Sequence, residues 1–366
     1  MEKGKRILFL ADINSVHTER WVKSLIDRGF EIHLFSLSAR TTDWQDACQN
    51  FHFTCFGVDQ SIVSSNQKYG KLSYFKARKD AKKMFLDVQP DVIHAHYASS
   101  YGMLARYIGF KHTVLSLWGS DVYEFPRRSI LHSTLFKRAV RFPATVCSTS
   151  KDMALEATKW IKRNYIITPF GVDTDRFVLG EANTSKTLTL GTVKSLEEVY
   201  GIDRLIELYA NFRKSYSGNS QLFIYGSGSQ EELLKQQAID LNIADHVHFK
   251  GFVGQEKLVE AFHSLDIFIA LSRRESFGVA VLEAQACGVP VFVTNVGGLP
   301  EVTSPKTGTI VDDQQPESWT KHFLDMVEIV KESSSHQTSR EFVLKNFSNE
   351  VCVDKIIQVY KDVQGI

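Results

Sequence analysis

Two glutamates eight residues apart, Glu275 and Glu283, are the side chains of this 366-residue sequence best placed to do chemistry together. The apolar run at 267–271 before them predicts a buried parallel strand. Small and straight-chain residues at 277–287, closed by Gly288, predict a short helix after the intervening charged loop. Ligands bind at the carboxyl ends of such strands. Since eight helical residues span roughly 12 Å, the two carboxylates are predicted to contact opposite ends of one elongated ligand.

The start of this helix adds a second functional element. Its first N–H groups, predicted at Phe277, Gly278 and Val279, lack partners within the helix and form a pocket suited to a diphosphate. Ribose, diphosphate and hexose together give a nucleotide sugar the elongated shape required. Solvated surface charges are the alternative interpretation of Glu275 and Glu283. The apolar neighbours of Glu283, and the Ser-Phe-Gly sequence that follows Glu275, argue against it.

The stretch 272–278 (Ser-Arg-Arg-Glu-Ser-Phe-Gly), with Glu283 and the Gly-Gly-Leu-Pro-Glu stretch 297–301, resembles the paired-glutamate signature of the family 4 retaining glycosyltransferases. The resemblance implies the α/β GT-B fold, in which two doubly wound Rossmann-like domains face a central cleft. It implies that Glu275 and the adjacent backbone at Ser276 hold the donor sugar, and that Glu283 holds the ribose. The donor would be a nucleoside diphosphate sugar, a UDP- or GDP-sugar, serving as a co-substrate rather than a cofactor.

Further resemblances lie in the same half of the chain. The stretch Gly191-Thr192-Val-Lys194 is similar to the family's second phosphate site, a glycine turn after a strand, with Lys194 holding the diphosphate. Val199 stands where a second lysine is expected, so either the clamp is weaker or Arg273 or Arg274 completes it. An exposed lysine without a function is the alternative for Lys194.

Two glycine-containing turns in this half also bear on nucleotide binding. Gly251-Phe252-Val253 resembles the turn that reads the nucleobase, although core packing would also explain Phe252. Gly226-Ser-Gly228 does not match the dinucleotide fingerprint, and no phosphate-binding Gly-x-x-x-x-Gly-Lys loop occurs. A nicotinamide dehydrogenase and a nucleoside triphosphatase are therefore disfavoured.

The first half contributes a loop and a turn. Trp118-Gly-Ser-Asp121 resembles the family's His-Gly-x-Asp loop with tryptophan in place of histidine. Trp118 could therefore form an apolar wall of the donor pocket, and Asp121 is either a catalytic group or a brace for the loop. Asn14 and His17 are predicted in the first strand-to-helix turn, which by the family resemblance would lie near the diphosphate and the acceptor.

A histidine pair follows in the same half. His94 and His96 share one strand face. A metal pair is one reading, but without a third ligand nearby a buried His94 and a cleft-lining His96 are favoured.

Alternating strand and helix patterns predict two domains. By the family resemblance, residues 1–168 would form an acceptor-binding domain and residues 169–349 a donor-binding domain, and a helix within 350–366 would cross back to the first. The strands are predicted at 6–10, 31–37, 51–56, 92–95, 113–117 and 145–148, then at 187–192, 221–225, 246–249 and 267–271. The helices are predicted at 19–28, 71–87, 101–107, 129–141 and 151–160, then at 201–216, 230–241, 277–287 and 350–363.

The composition of the chain indicates the cellular compartment in which it would be found. Five scattered cysteines without a Cys-x-x-Cys pair favour a reducing cytoplasm over a disulfide framework or a zinc cluster. Neither a signal peptide nor a membrane span is expected, and no nucleic acid partner is indicated. No Asp-x-Asp dyad lies near the diphosphate site, so a metal-independent transfer is expected.

Charge is distributed unevenly between the two halves. Residues 1–168 hold 25 basic and 15 acidic side chains, a balance of +10, whereas the remainder holds 18 and 27, a balance of −9. Arg127, Arg128, Lys137, Arg138 and Arg141 form a basic segment able to contact an anionic inner membrane surface. A lipid-linked saccharide acceptor in bacterial surface polysaccharide synthesis would explain this bias.

Hexosyl transfer to an acceptor hydroxyl is the favoured interpretation of the whole sequence. A sugar-nucleotide epimerase of the same fold is one alternative, because that chemistry needs no acceptor. A catalytically silent nucleotide-sugar-binding subunit is another, because Trp118 and Val199 depart from the family pattern.

Overall fold

The computed structural model describes residues 5–58, 73–180, 187–332 and 335–366. Contacts divide the chain into two compact units. The first comprises Met1–Phe170 together with Asn349–Ile366, and the second is Gly171–Ser348. The sequence placed the first boundary at residue 168, two residues before the structural division.

The first unit is built on a seven-stranded parallel sheet in the order β3-β2-β1-β4-β5-β6-β7. Its strands are β1 Arg6–Leu10, β2 Glu31–Ser38, β3 Phe51–Val58, β4 Val92–His96, β5 Thr113–Leu117, β6 Thr145–Ser148 and β7 Ile166–Ile167. The central strands are near-continuous apolar runs, which is the pattern of a parallel sheet covered on both faces. The chain order reverses between β1 and β4.

Helices cover both faces of this sheet. They are α1 Val16–Ile26, α2 Ser73–Val88, α3 Gly102–Ile108, α4 Ser120–Tyr123, α5 Ile130–Arg141 and α6 Lys151–Thr158, with the C-terminal helix α13 Asn349–Gln364. The inward face of α13 contributes Val353, Ile356 and Tyr360 to the core on one side of the sheet. The C-terminal helix therefore packs into the core of the first unit.

The second unit has a six-stranded parallel sheet in the order β10-β9-β8-β11-β12-β13, reversing between β8 and β11. Its strands are β8 Leu188–Val193, β9 Ser220–Tyr225, β10 Val247–Gly251, β11 Ile267–Ala270, β12 Val291–Thr294 and β13 Gly308–Val311. Its helices are α7 Ile202–Ser215, α8 Glu231–Asp240, α9 Leu258–His263, α10 Val279–Ala286, α11 Trp319–Glu332 and α12 Ser335–Phe347. Both units are thus doubly wound α/β domains.

Element boundaries differ from prediction chiefly at helix starts. Helix α1 begins at Val16 rather than at residue 19, and α10 begins at Val279 rather than at Phe277. The helix predicted at 71–87 is described only from Ser73, because residues 71 and 72 lie outside the described part of the chain. Strands β7 and β13 and helices α4, α9, α11 and α12 were not predicted. Within the described residues, no helix combines the length and apolar character needed to cross a bilayer.

Candidate functional site

The two strand ends at the switch point of the second unit form the candidate site. Chain order reverses between β8 and β11, and ligands bind in the crevice that such a reversal opens at the carboxyl ends of the strands. Lys194 directly follows β8, and the charged loop 271–278 directly follows β11. The fold itself therefore brings together two segments that are about 80 residues apart in sequence.

Lys194 and Glu275 form an ion pair at this point. The Lys194 Nζ donates to the Glu275 Oε2 at 2.5 Å, and the two side chains are only 12% and 11% exposed. Burial acts to lower the pKa of Lys194, but the charges of Glu275, Tyr200 and Glu283 and the hydrogen bond to Glu275 outweigh it, and the net pKa is raised. Lys194 therefore remains cationic in a largely water-excluded position.

Close backbone contacts fix the loops that carry this pair. A Cβ on Gly297, whose φ is +55°, would lie 1.7 Å from the carbonyl oxygen of Glu275, and the N–H of Gly298 donates to that oxygen at 3.0 Å. A Cβ on Gly226 would lie 1.8 Å from the carbonyl oxygen of Lys194. The backbones at Gly297 and Gly226 therefore pack directly against those of Glu275 and Lys194. A residue with a side chain at either position would prevent this close approach.

The Arg273 side chain is hydrogen-bonded within the second unit. Its guanidinium forms a bidentate pair with Asp203 at 2.7 and 2.5 Å and also donates to the Glu198 carbonyl. Its backbone N–H donates to the Val199 carbonyl at 2.8 Å. In this structure the Arg273 guanidinium is held by Asp203 and Glu198, and completion of the diphosphate clamp by Arg273 or Arg274 stays a prediction. Arg273 ties the loop after β11 to the loop after β8.

The helix start also lies two residues later than predicted. Gly278 is the N-cap of α10, with φ of +103°, so the first helical N–H belongs to Val279. The Phe277 side chain is 2% exposed and packs in the core, and its backbone N–H, predicted for the anion pocket, lies one residue before the N-cap. Ser276 is half-buried in the loop beside Glu275. Glu283 is 6% exposed on α10, and its charge contributes to the raised pKa of Lys194.

The predicted glycine turn after β8 is a strand. Gly191 and Thr192 lie inside β8, and both are buried. A Cβ on Gly191 would lie 2.5 Å from the Phe223 carbonyl oxygen, so its glycine is explained by packing against β9. The turn begins at Lys194, so Gly191 and Thr192 lie in the strand before it, and their contact with the ligand stays a prediction.

The turn after β10 carries a protruding aromatic ring. Phe252 is 79% exposed, which excludes the core role considered for it, and Val253 beside it is half-buried. The Gly226 N–H donates to the Gly251 carbonyl at 2.8 Å, which joins this turn to the loop after β9. An exposed aromatic ring at the carboxyl edge of the sheet offers a stacking surface for a planar base.

In the first unit, Asp121 braces two loops. Its carboxylate accepts hydrogen bonds from the backbone N–H groups of Ala98, Trp118 and Gly119 at 2.9 to 3.1 Å. Burial raises the pKa of Asp121, although these hydrogen bonds act to lower it. Both carboxylate oxygens are engaged by the backbone and the side chain is 1% exposed, so the structure favours the bracing role over the catalytic one.

Trp118 and His17 belong to an aromatic cluster at the carboxyl edge of this sheet. Trp118 is 7% exposed and packs on His96 with ring centroids 4.3 Å apart. His17 stacks on Phe170 at 4.0 Å, and its edge contacts Trp118 at 5.7 Å. Burial, with a contribution from Arg20, lowers the pKa of His17 to about 3, so its ring is neutral. The sequence predicted His17 in the turn before α1, but His17 lies on α1 itself.

The Asn14 side chain is hydrogen-bonded within the first unit. Its side-chain amide donates to the Ala39 carbonyl at 2.8 Å and accepts from the Thr41 N–H at 2.7 Å. These bonds join the turn after β1 to the segment after β2, so Asn14 shapes the loop pair rather than presenting its amide to a ligand.

The two histidines of β4 are both fully buried. His94 bonds Tyr360 at 2.7 Å and Ser116 at 2.8 Å through its two ring nitrogens. His96 has no hydrogen-bond partner within the described residues. The prediction of a buried His94 agrees with the structure, but His96 does not line an open surface. Burial lowers the pKa of both rings, so both are neutral.

Sequence reasoning missed two aromatic residues near these sites. The Tyr200 ring lies under Lys194, 4.8 Å from its Nζ, and supports the cation from below. Tyr97 follows β4 with a φ of +66°, a conformation that is costly for a bulky residue and is concentrated at functional sites. The sequence around Tyr97 carries no glycine or turn signal that could have revealed this.

Comparison with known protein families agrees with this geometry. The model of "Glycosyl transferases group 1" matches residues 173–362, more than half of the chain, and that of "Glycosyl transferase 4-like" matches residues 6–150. The chain belongs to the group 1 glycosyl transferases. Members of this family are transferases, so this glycosyltransferase is an enzyme by family.

Curated relatives of this glycosyltransferase act on different substrates. N-acetyl-alpha-D-glucosaminyl L-malate synthase of Bacillus anthracis is 26% identical over 360 residues, covering 93% of this chain and 91% of the relative. A GDP-mannose-dependent alpha-(1-6)-phosphatidylinositol monomannoside mannosyltransferase of Mycobacterium tuberculosis is 39% identical over 162 residues, covering 39% of this chain and 42% of the relative.

Solved structures share the fold of this glycosyltransferase. Sucrose-phosphate synthase of Thermosynechococcus elongatus superposes with a TM-score of 0.81 at 16% identity, covering 99% of each chain. Anabaena HepE in complex with UDP and glucose superposes with a TM-score of 0.75 at 15% identity, covering 98% of this chain and 100% of HepE. The two parallel-sheet α/β domains therefore have the GT-B fold.

Proposed function

We propose that this glycosyltransferase moves a hexose from a nucleoside diphosphate sugar to an acceptor hydroxyl with retention of configuration. The observation that carries the proposal is the largely buried Lys194–Glu275 pair at the switch point, with α10 starting beside it. An electrically neutral pair is stable without a ligand. Each partner also has the chemistry to bind a different part of the donor.

Donor binding exchanges the partners of this pair. The Lys194 ammonium turns to the diphosphate, which also meets the N-terminal end of α10 at Val279. The freed Glu275 carboxylate accepts hydrogen bonds from the hydroxyls of the hexose. Glu283 accepts bonds from the ribose. As the glycosidic bond breaks, Lys194 and the helix terminus stabilise the negative charge that grows on the leaving diphosphate.

This arrangement of charge supports a transfer that needs no metal ion, with the nucleotide sugar as the only co-substrate besides the acceptor. The test is turnover in excess EDTA. We expect unchanged rates, and loss of activity that manganese restores would contradict the proposal.

The donor is a UDP- or GDP-sugar. Two comparisons support this choice: HepE was solved with UDP and glucose, and the mycobacterial relative is GDP-mannose-dependent. Thermal-shift titration against a panel of UDP- and GDP-sugars identifies the base and the sugar, since a ligand at 100 times its Kd stabilises by about 2.7 kcal/mol.

Turnover of two variants tests the placement of the site. We expect Glu275→Gln to abolish transfer with the fold intact and Glu283→Gln to weaken donor affinity. Glu317→Gln, on an exposed surface of the same unit, serves as the matched control. Near-normal turnover in both site variants would contradict the proposal. Donor interconversion without acceptor would indicate an epimerase, and tight donor binding with no reaction would indicate a silent subunit.

We further propose a peripheral contact between the first unit and an anionic membrane that presents a lipid-linked saccharide acceptor of surface polysaccharide synthesis. Ile130 and Leu131, in the first turn of α5, are 86% and 65% exposed, and Arg138 and Arg141 are exposed at its other end. Arg127 pairs with Glu156, and Arg128 lies 3.9 Å from Glu124, so these two arginines have less charge available than the sequence suggested.

Vesicle co-sedimentation tests this contact. We expect binding to anionic vesicles at low salt that falls in Arg138→Gln/Arg141→Gln and in Ile130→Ser/Leu131→Ser. Ile329→Ser is the control, because Ile329 is 61% exposed in the second unit. Equal binding to neutral vesicles, or none to anionic ones, would point to an acceptor in free solution.

A further inference from the structure

Three potential metal ligands meet on one face of the first sheet, on its outer strands. Glu31 and His33 are two residues apart on β2, so their side chains lie on the same face. His52 on β3 is the direct cross-strand neighbour of His33. Between them, Ile32 is fully buried on the opposite face. The ladder register therefore places two imidazoles and a carboxylate side by side.

The ligand atoms of this Glu31–His33–His52 cluster are close together. One ligand atom from each residue lies within 4.8 Å of the other two. The His33 Nε2 is 2.7 Å from the Glu31 Oε1, and the two imidazole rings stack with centroids 4.8 Å apart at 27°. Ligands of a tetrahedral Zn²⁺ with bonds of about 2.0 Å are separated by roughly 3.3 Å. Reaching that spacing requires rotation of the exposed His52 side chain and of Glu31.

Arg6 orients the carboxylate of this cluster. Arg6 donates through its Nε to the Glu31 Oε2 at 3.2 Å, which orients the carboxylate and leaves Oε1 facing His33. Such an outer contact is typical of metal-ligating carboxylates.

We propose that Glu31, His33 and His52 bind a Zn²⁺ ion, with the Glu31 Oε1 and one ring nitrogen of each histidine as ligands and water in the fourth position. Two imidazoles and one carboxylate are a donor set that zinc accepts. Calcium and magnesium, which prefer oxygen ligands, fit it poorly.

The site has a structural role independent of the proposed transfer. Glu31 is the first residue of β2, at the end of the sheet opposite to the carboxyl ends where the candidate functional residues of this unit lie. A metal bound across His33 and His52 links β2 to β3, the strand at the edge of the sheet. Zinc therefore stabilises an edge strand and leaves donor binding unchanged.

Zinc titration of the full, untagged chain against a chromophoric chelator tests the proposal. We expect one Zn²⁺ per chain, and affinity reduced about tenfold or more in His52→Gln. His52 is exposed, so this variant keeps the fold, which its melting temperature in EDTA verifies. His322→Gln, which replaces an exposed histidine of the second unit, is the control and retains wild-type affinity.

Cobalt provides a second readout. Co²⁺ bound to the wild-type chain should give the visible absorption of a four-coordinate site, and His52→Gln should lose it. Absence of stoichiometric zinc uptake by the wild-type chain would overturn the proposal. So would equal zinc affinity in His52→Gln and His322→Gln. Unchanged donor affinity in the zinc-loaded chain separates this result from any failure of the proposed transfer.

Discussion

A double-mutant cycle on the Lys194–Glu275 pair separates its structural role from its chemical one. Lys194→Met removes the ammonium but keeps an unbranched side chain of similar length. Glu275→Gln removes the carboxylate charge but keeps its shape. We expect the double variant to recover stability lost by Lys194→Met, yet to recover no activity.

The expected magnitudes follow from burial. With the two side chains 12% and 11% exposed, Lys194→Met leaves an unpaired carboxylate largely removed from water, which costs about 3 kcal/mol of the free energy of unfolding. Adding Glu275→Gln removes that charge and returns about 2 kcal/mol, a coupling typical of residues in contact. Loss of the cation at the diphosphate lowers kcat roughly 10²- to 10³-fold.

The pH of these measurements is chosen from the direction in which the pKa of Lys194 is shifted. Glu275 raises the pKa of Lys194 above its ordinary 10.5 against the effect of burial. The stability that Lys194 contributes is therefore fully present below pH 10.5 and is lost as the pH rises through the folded-state pKa. Measurements at pH 7.5 capture the whole contribution.

Urea unfolding and steady-state kinetics on the four proteins of the cycle provide the readouts. Additive losses of stability would refute the idea that the two charges compensate each other in the ligand-free protein. Restored turnover in the double variant would refute the direct roles of both residues on the donor. Either result would require a different account of the candidate site.

Three further predictions address other parts of the chain. Gly297→Ala should cost more than about 3 kcal/mol of unfolding free energy and impair donor binding, because the new Cβ collides with the Glu275 carbonyl. Gly109→Ala, at a φ of +77° with open space around it, should cost only about 1 kcal/mol in the same urea assay, and equal costs would contradict the contact argument. Phe252→Ala should leave stability within about 0.5 kcal/mol and weaken UDP or GDP binding by calorimetry roughly tenfold, if its exposed ring stacks on the base. His96→Phe should reduce acid sensitivity: burial lowers the folded-state pKa of His96 well below 6.5, so protonation of the unfolded chain destabilises the wild type by up to about 1.4 kcal/mol per pH unit below pH 6.5. An unchanged slope of stability between pH 7 and 5 would refute that account.

Strong local patterns made much of the fold predictable. Strands β1, β5 and β6 match the predicted limits because each is a short apolar run bounded by polar or turn-forming residues. The paired-glutamate motif identified the family because it combines several residue types at fixed spacing. Local sequence therefore sufficed for the fold class and for the position of the loop that carries Glu275.

Side-chain partners across the fold could not be predicted in the same way. Arg273 was assigned to a diphosphate, but Asp203, seventy residues away in sequence, binds its guanidinium. Gly191 was assigned to a turn, but the approach of Phe223 on the neighbouring strand accounts for it. Such contacts depend on which strands become neighbours, which local periodicity does not encode.

The sequence by itself determined that the chain forms alternating strands and helices and that Glu275 and Lys194 each follow a strand. Only the tertiary structure decided that these two residues meet, because the reversal of strand order places β8 beside β11. It also decided that Asp121 braces two loops, and that His33 and His52 lie opposite each other across a ladder. The physical reason is that hydrogen bonding between strands distant in sequence determines which residues become neighbours. That pairing depends on the stability of the whole sheet and not on the sequence of any one segment.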